Sequence, residues 1–151
     1  MERDKERKQE TVYGVRDYMI FKECTNIKEC QEICKRSGSK RVRETAHYLS
    51  TAQWQGGEKF TAEIADNVGF YAGIFCKAHF NLVEIAVLEE KHGQGIGSRM
   101  LRRLKQRCLE KVIHIIRLRT SMEETAVDFY QKQGGKIVGY KEDDFVMEIK
   151  I

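Results

Sequence analysis

At 151 residues, 41% hydrophobic and 33% charged, the chain has the length and balance of one globular domain with a real core, which excludes global disorder. A net charge of +4 does not by itself argue for nucleic acid, and no apolar run approaches the roughly 18 residues that cross a membrane. The opening MERDKERKQE has no apolar h-region, so it is not read as a signal peptide, and residues 1–12 are expected to form a charged, frayed tail or an exposed helical extension ahead of a single domain over 13–151.

In chain order, YMIFKEC (18–24) reads as a first strand. NIKECQEICKR (26–36) carries Ile27, Cys30, Ile33 and Cys34 at helical spacing behind Asn26 as N-cap, and Ser37-Gly38-Ser39 breaks that helix. A second helix is expected over 40–53, then a turn at Gly56-Gly57. KFTAEIAD (59–66) alternates in strand period, Asp66-Asn67 turns, and GFYAGIFCKAHF (69–80) returns, which predicts an antiparallel hairpin. LVEIAVL (82–88) is a short apolar run of the kind buried in a sheet centre. SRMLRRLKQRCLEK (98–111) is an amphipathic helix with Met100, Leu101, Leu104 and Cys108 on its apolar face. VIHIIRLR (112–119) reads as a strand, and Ser121-x-x-Glu124 has the form of a capping box opening a helix that Gly134-Gly135 closes. KIVGY and DDFVMEIKI end the chain as two strands, the last with Phe145, Met147, Ile149 and Ile151 on one face.

The five cysteines, Cys24, Cys30, Cys34, Cys76 and Cys108, match no zinc spacing and read as reduced thiols of a cytoplasmic protein. Cys30 and Cys34 share a helix face, where packing is favoured over metal because no second ligand pair is near in sequence.

The chemistry concentrates at HGQGIG (92–97), between a buried strand and a basic helix. Alternate glycines let the backbone turn tightly and approach a ligand. The following helix adds unpaired N–H groups and the positive end of its dipole, so the segment suits phosphate oxygens. A tight turn with no ligand is the competing reading. Gly93, Gly95 and Gly97 miss the GxGxxG dinucleotide spacing, and no lysine follows Gly97 as a P-loop requires.

HGQGIG, preceded by LVEIAVLEEK, resembles the acyl-CoA pyrophosphate loop of the GNAT superfamily of N-acyltransferases, in which Gln or Arg is followed after two residues by Gly-x-Gly or Gly-x-Ala. His92 stands where that pattern has Gln or Arg. TAVDFYQKQGGKIVGY (125–140) is similar to the family's next helix and strand, and KFTAEIADNVGFYAGIF to its hairpin. The likeness covers roughly 18–151 and is strongest over 82–140. It implies a mixed α/β (α+β) fold with a mostly antiparallel central sheet of six to seven strands, flanked by helices, with one strand pair splayed.

The resemblance also implies acetyl-CoA as cosubstrate, no metal, and attack by a primary amine of a small molecule or protein within a ternary complex. Ile85, Ala86 and Val87 would lend backbone groups, with the N–H of Val87 or a neighbour stabilising the thioester oxyanion. His92, Gly93, Gln94, Gly95, Ile96, Gly97, Ser98 and Arg99 would hold the pyrophosphate, and Phe129 would adjoin the cofactor. Arg99, Arg102 or Arg103 would reach nucleotide phosphates or else form a solvated basic face. Tyr130 aligns with the family's general acid, which protonates the leaving thiolate; a phenol of pKa about 10 keeps its proton at neutral pH. Core packing is the alternative for Tyr130. Glu84, the one charged residue in LVEIAVL, is the candidate base, or else the partner of Arg117 or Arg119. Glu63 and His79 are weaker candidates. Met122-Glu123-Glu124 replaces an Asn that the family often places against CoA.

The acceptor side would fall in the region from Asn26 to Gly57, which is basic through Arg36, Lys40, Arg41 and Arg43 and aromatic at Tyr48 and Trp54. Neither a membrane nor a nucleic-acid partner is expected, and the family allows a homodimer. The alternative from another class is a non-catalytic acyl-CoA-binding or interaction module of the same fold.

Overall fold

A computed structural model describes residues 19–24, 26–38 and 60–151. The charged tail, the helix expected over 40–53, the Gly56-Gly57 turn and the side chains from Lys40 to Trp54 lie outside the described residues. The described strands are β1 (Phe21–Glu23), β2 (Phe60–Ala65), β3 (Gly69–Phe75), β4 (Phe80–Val87), β5 (Ile115–Ser121), β6 (Gly135–Lys141) and β7 (Asp144–Lys150). They form one seven-stranded sheet in the order β1-β2-β3-β4-β5-β7-β6, antiparallel throughout except where β4 runs parallel to β5. Among the described residues three helices accompany it, α1 (Ile27–Lys35), α2 (Ile96–Glu110) and α3 (Glu124–Lys132), with a 3₁₀ turn over Glu89–Lys91. The mixed, mostly antiparallel sheet is the one expected from the sequence.

Local chemistry explains most of the elements. Asp66 and Asn67 both take positive φ, 50° and 59°, and form the central pair of a tight turn that the Val68 N–H closes onto the Ala65 carbonyl at 2.9 Å, three residues separating the paired Ala65 and Gly69. Asn26 caps α1 by accepting from the Lys28 N–H at 3.0 Å. The expected apolar face of α2, Met100, Leu101, Leu104 and Cys108, is fully buried and packs over Tyr71, Phe80, Leu82, Ile116 and Leu118. On the opposite side of the sheet, Cys30, Ile33 and Cys34 of α1 bury against Ala62, Ile64, Phe70 and Ala72. Met147 and Ile149 of β7 join the α2 side, with Phe145 and Ile151 against them, as their shared face predicts.

Several expectations shift. β3 ends at Phe75 rather than running to Phe80, which instead opens β4, because residues 76–79 turn the chain, the Cys76 N–H donating to the His79 carbonyl at 2.8 Å. α2 begins at Ile96 rather than Ser98, because Gly95 takes the left-handed conformation (φ 79°, ψ 12°) and serves as its N-cap. β5 begins at Ile115 rather than 112, because Val112, at φ 58°, turns the chain out of α2. The capping box at Ser121–Glu124 does not form. Ser121 is the last residue of β5, paired with Asp144 of β7, and the N-cap is Glu123, whose side chain makes no capping bond. The sheet claims the residue that the local pattern offered to the helix.

Two departures from regularity set up the site. β4 and β5 pair only at Phe80–Ile116, Asn81–Arg117 and Leu82–Leu118, and beyond Leu82 they part. At the same level β4 bulges: Leu82 faces Gly73 and Glu84 faces Ala72, leaving Val83 as the extra residue. The bulge reverses the facing of the strand. Phe80 and Leu82 lie on the α2 side and so do Ile85 and Val87, whereas Ala86 and Leu88 pack with α1. Glu84 thereby shares the α1 side instead of entering the α2 core.

A buried polar cluster ties α2 to the sheet. Glu63 of β2 accepts from Arg103 twice, Nε to Oε1 and Nη2 to Oε2, each at 3.0 Å, and from the Tyr71 hydroxyl at 2.6 Å. Arg107 reaches the Tyr71 hydroxyl at 2.5 Å and lies 3.5 Å from Glu63. Burial pushes the Glu63 carboxyl up, but the bonds from Arg103 and Tyr71 and the two guanidinium charges outweigh it and hold it below its ordinary value. Burial, then the bond to Glu63, pushes the Tyr71 phenol well up.

Glu63→Gln is expected to cost about 2–4 kcal/mol in denaturant unfolding, near the lower end for a broken buried pair because both arginines reach partly into water. The sign with pH follows. A carboxyl with a depressed folded pKa contributes its stability above its unfolded pKa and loses it as pH falls through the folded value. The gap between wild type and variant should therefore narrow in acid.

Candidate active site

Past Leu82 the β4–β5 gap opens into a cleft of about 830 Å³. β4 lines it from Asn81 to Ile85 and at Val87, β5 at Leu118, Arg119, Thr120 and Ser121, and α3 at Thr125, Ala126, Phe129 and Tyr130. Lys91, His92, Gly93, Gly95, Ile96, Gly97 and Ser98 close one end. The glycine loop and the strand gap, separate features in the sequence, are thus one cavity.

Backbone alternation explains what β4 offers there. The Leu88 N–H donates to the Val68 carbonyl at 2.8 Å, so Leu88, Ala86 and Glu84 share the phase that bonds to β3. Ile85 and Val87 turn their N–H and C=O groups the other way, toward β5, which no longer pairs with them. Ala86, expected beside them, has its side chain buried with the α1 cluster and does not line the cleft.

The glycines divide their work. Gly93 and Gly95 have φ of 80° and 79°, where any other residue is strained, and a Cβ on either would meet nothing within 4 Å. Gly97 is needed for a different reason: a Cβ there would come 3.0 Å from the Phe129 ring, so α2 and α3 approach closely only without one. No side chain caps α2 and its first turn holds no acid, leaving the positive end of a fifteen-residue helix to face the cavity. Ser98 is held from the C-cap of α3, its hydroxyl accepting from Gln133 Nε2 at 2.9 Å. The segment therefore fits an anionic group such as a pyrophosphate: an open cradle, helix N–H groups left without intrahelical acceptors and no acid in the helix's first turn.

His92 departs from its simplest reading. Its Nε2 lies 2.8 Å from the Val87 carbonyl, and since a carbonyl only accepts, that nitrogen carries the proton and donates. The ring braces the end of β4 against the loop, and Nδ1 donates to an anion only when the ring is protonated. Gln94 is exposed, and neither Gln94 nor Arg99 lines the cleft. Arg103 is committed to Glu63 rather than to a phosphate, and Arg102 is exposed on α2.

Glu84 and Tyr130 line the same cleft from β4 and α3. Tyr130 stacks edge-on against Phe129 with ring centroids 5.1 Å apart. Arg117 pairs with Glu148 at 2.6 Å, and Arg119 with Asp144 at 3.0 Å and Glu142 at 3.5 Å. Glu63 belongs to the α2 cluster and His79 to the turn before β4, where its carbonyl accepts from the Cys76 N–H; neither lines the cleft.

The sequence reading missed the β5 wall and Val83. The pattern RLRTS marks a half-buried strand and nothing more, and only the parallel register reveals that its last residues face a gap. Glu123, noted as a departure from the family, also lines the cleft. Among the described residues, no cluster of three or more His, Cys, Asp or Glu could hold a metal ion, and no helix is long and apolar enough to cross a membrane.

A splayed parallel strand pair and a glycine-opened helix N-terminus meet in this one cleft. The acetyltransferase (GNAT) domain matches residues 55–134, and the chain belongs to that family. Solved structures agree on the fold. The PaiA N-acetyltransferase of Thermoplasma acidophilum, in complex with coenzyme A, superposes with a TM-score of 0.71 at 19% identity, covering 89% of this chain and 99% of that one. The ribosomal-protein-S18-alanine N-acetyltransferase of Escherichia coli gives 0.73 at 16% identity, over 89% and 94%. An aminoglycoside 6'-N-acetyltransferase complexed with coenzyme A gives 0.65 at 17%, over 87% and 97%. No curated protein matches the sequence.

Proposed function

We propose that the protein is an N-acetyltransferase that moves an acetyl group from acetyl-CoA to a primary amine of a small molecule or protein. The observation that carries this is the union of the glycine cradle and the strand gap in one cleft. In this reading the backbone from Gly93 to Ser98 holds the pyrophosphate at the N-terminus of α2. Ile85 hydrogen-bonds the pantetheine amides, and the N–H of Val87, whose carbonyl His92 holds, or a neighbouring one, stabilises the thioester oxygen as negative charge develops on it. Bound acetyl-CoA supplies the activated acyl group. Glu84 takes a proton from the incoming ammonium, directly or through water, and Tyr130 returns one to the leaving thiolate.

Calorimetric titration with acetyl-CoA, with ATP as the comparison, tests the cradle. Micromolar binding of acetyl-CoA and weak binding of ATP support it; no binding overturns it. Glu84→Gln is expected to lower turnover more at neutral than at alkaline pH, where the amine is already free without a base. An equal loss in rate across pH would make Glu84 structural.

The second reading, a non-catalytic acyl-CoA-binding module, draws on His92 Nε2 being spent on Val87 and on Glu123 standing in the cleft. Binding without transfer to any amine, and without slow hydrolysis of acetyl-CoA, would favour it.

A further inference from the structure

Away from the cleft, Cys24 and Cys30 bring their sulfurs to 3.0 Å, with the Cys30 thiol donating to Cys24. Both are buried, and they come from different elements: Cys24 follows β1 and is pinned to the sheet by its N–H bond to the Ala62 carbonyl at 2.9 Å, while Cys30 sits within α1. A disulfide closes at about 2.05 Å, so the pair needs a movement of only roughly 1 Å to bond. Simple packing does not call for two sulfurs at this separation.

We propose that Cys24 and Cys30 are a redox-active dithiol, a modification site at which a hydroperoxide forms an intramolecular disulfide. Cys24 is the attacking sulfur. It precedes the N-cap of α1 by two residues, its own thiol donates to the Asn26 carbonyl at 3.2 Å, and Cys30 donates to it at 3.0 Å, so that once the Cys24 proton is gone the Cys30 thiol stabilises the thiolate. The Cys30 bond holds the Cys24 thiol below its ordinary value, while the same bond and burial push Cys30 up. The Cys24 sulfur attacks a peroxide oxygen, the O–O bond breaks, and the alkoxide or hydroxide leaves as an alcohol or water, giving a sulfenic acid. The Cys30 sulfur then attacks the Cys24 sulfur, the S–O bond breaks, and hydroxide leaves with the Cys30 proton as water. Two thiols lose two electrons and one peroxide is reduced.

The modification has a route to the rest of the molecule. The far end of α1 abuts the segment ahead of the glycine loop: the Arg36 carbonyl accepts from the Glu89 N–H at 2.9 Å, and the Arg36 guanidinium pairs with Glu90 at 3.0 Å. Fixing α1 to β1 therefore restrains the helix whose end adjoins the loop.

The test is to treat the reduced, folded, full-length protein with about one equivalent of hydrogen peroxide. The expected result is a mass loss of about 2 Da, for the two hydrogens removed, a Cys24–Cys30 cross-link in the peptide map, and reversal by dithiothreitol. In Cys30→Ser, dimedone should trap a sulfenic acid on Cys24. Oxidation confined to the half-buried Cys76, with Cys24 and Cys30 both still alkylated as thiols after denaturation, would overturn the proposal. The wild-type peptide map decides the matter even if the serine variant does not fold.

Discussion

Gly95→Glu abolishes acetyl-CoA binding, by more than about a hundredfold, while the circular dichroism spectrum stays that of the folded protein: this is the expected result if the cradle holds the pyrophosphate. The effect has two parts that can be separated. Any side chain at φ 79° is strained, at roughly 1–2 kcal/mol. Gly95→Ala isolates that part and should weaken binding by only about tenfold or less. The glutamate adds a carboxylate at the positive end of α2, where it occupies the anion's place and repels the phosphates. A Cβ at this position meets nothing within 4 Å, so the new side chain starts in open space. Equal affinities for wild type and the glutamate variant would move the cofactor out of this loop.

Tyr130→Phe should lower turnover about 10²- to 10⁴-fold and leave acetyl-CoA affinity within about twofold. The phenyl ring keeps the edge-on contact with Phe129, so what is lost is the hydroxyl and its proton. The thiolate must then leave unprotonated or take a proton from water. Where no acceptor is in hand, slow hydrolysis of acetyl-CoA serves as the readout. A fall in cofactor affinity with unchanged turnover would mean that Tyr130 packs rather than donates.

Much of the fold was legible because its signals are local. Asp66-Asn67 announces a hairpin, Asn26 a helix start, and Met100, Leu101, Leu104 and Cys108 a buried helical face, and each forms where the residues indicate. The glycine loop was legible for the same reason, since three glycines ahead of a helix constrain only their own backbone. What stayed hidden is non-local. The bulge at Val83 comes from the register between β3 and β4, and nothing in NLVEIAVL announces that its facing reverses midway. The cluster of Glu63, Tyr71, Arg103 and Arg107 joins three elements, and in sequence its arginines are indistinguishable from a solvated basic face. Ser121 shows the converse failure, a valid local signal overruled by pairing with β7.

The three-residue contact between β4 and β5 carries a mechanical meaning. It is the spine of a book whose leaves are the β1-to-β4 half-sheet and the β5, β7, β6 half-sheet. So short a spine leaves the opening angle to be fixed by what spans the leaves, and α2 does so, burying its face against residues of both. A guest of the right length that lays its amides along the open edge of β4 would then act as a bookmark, setting the width of a gap that the backbone itself leaves undetermined.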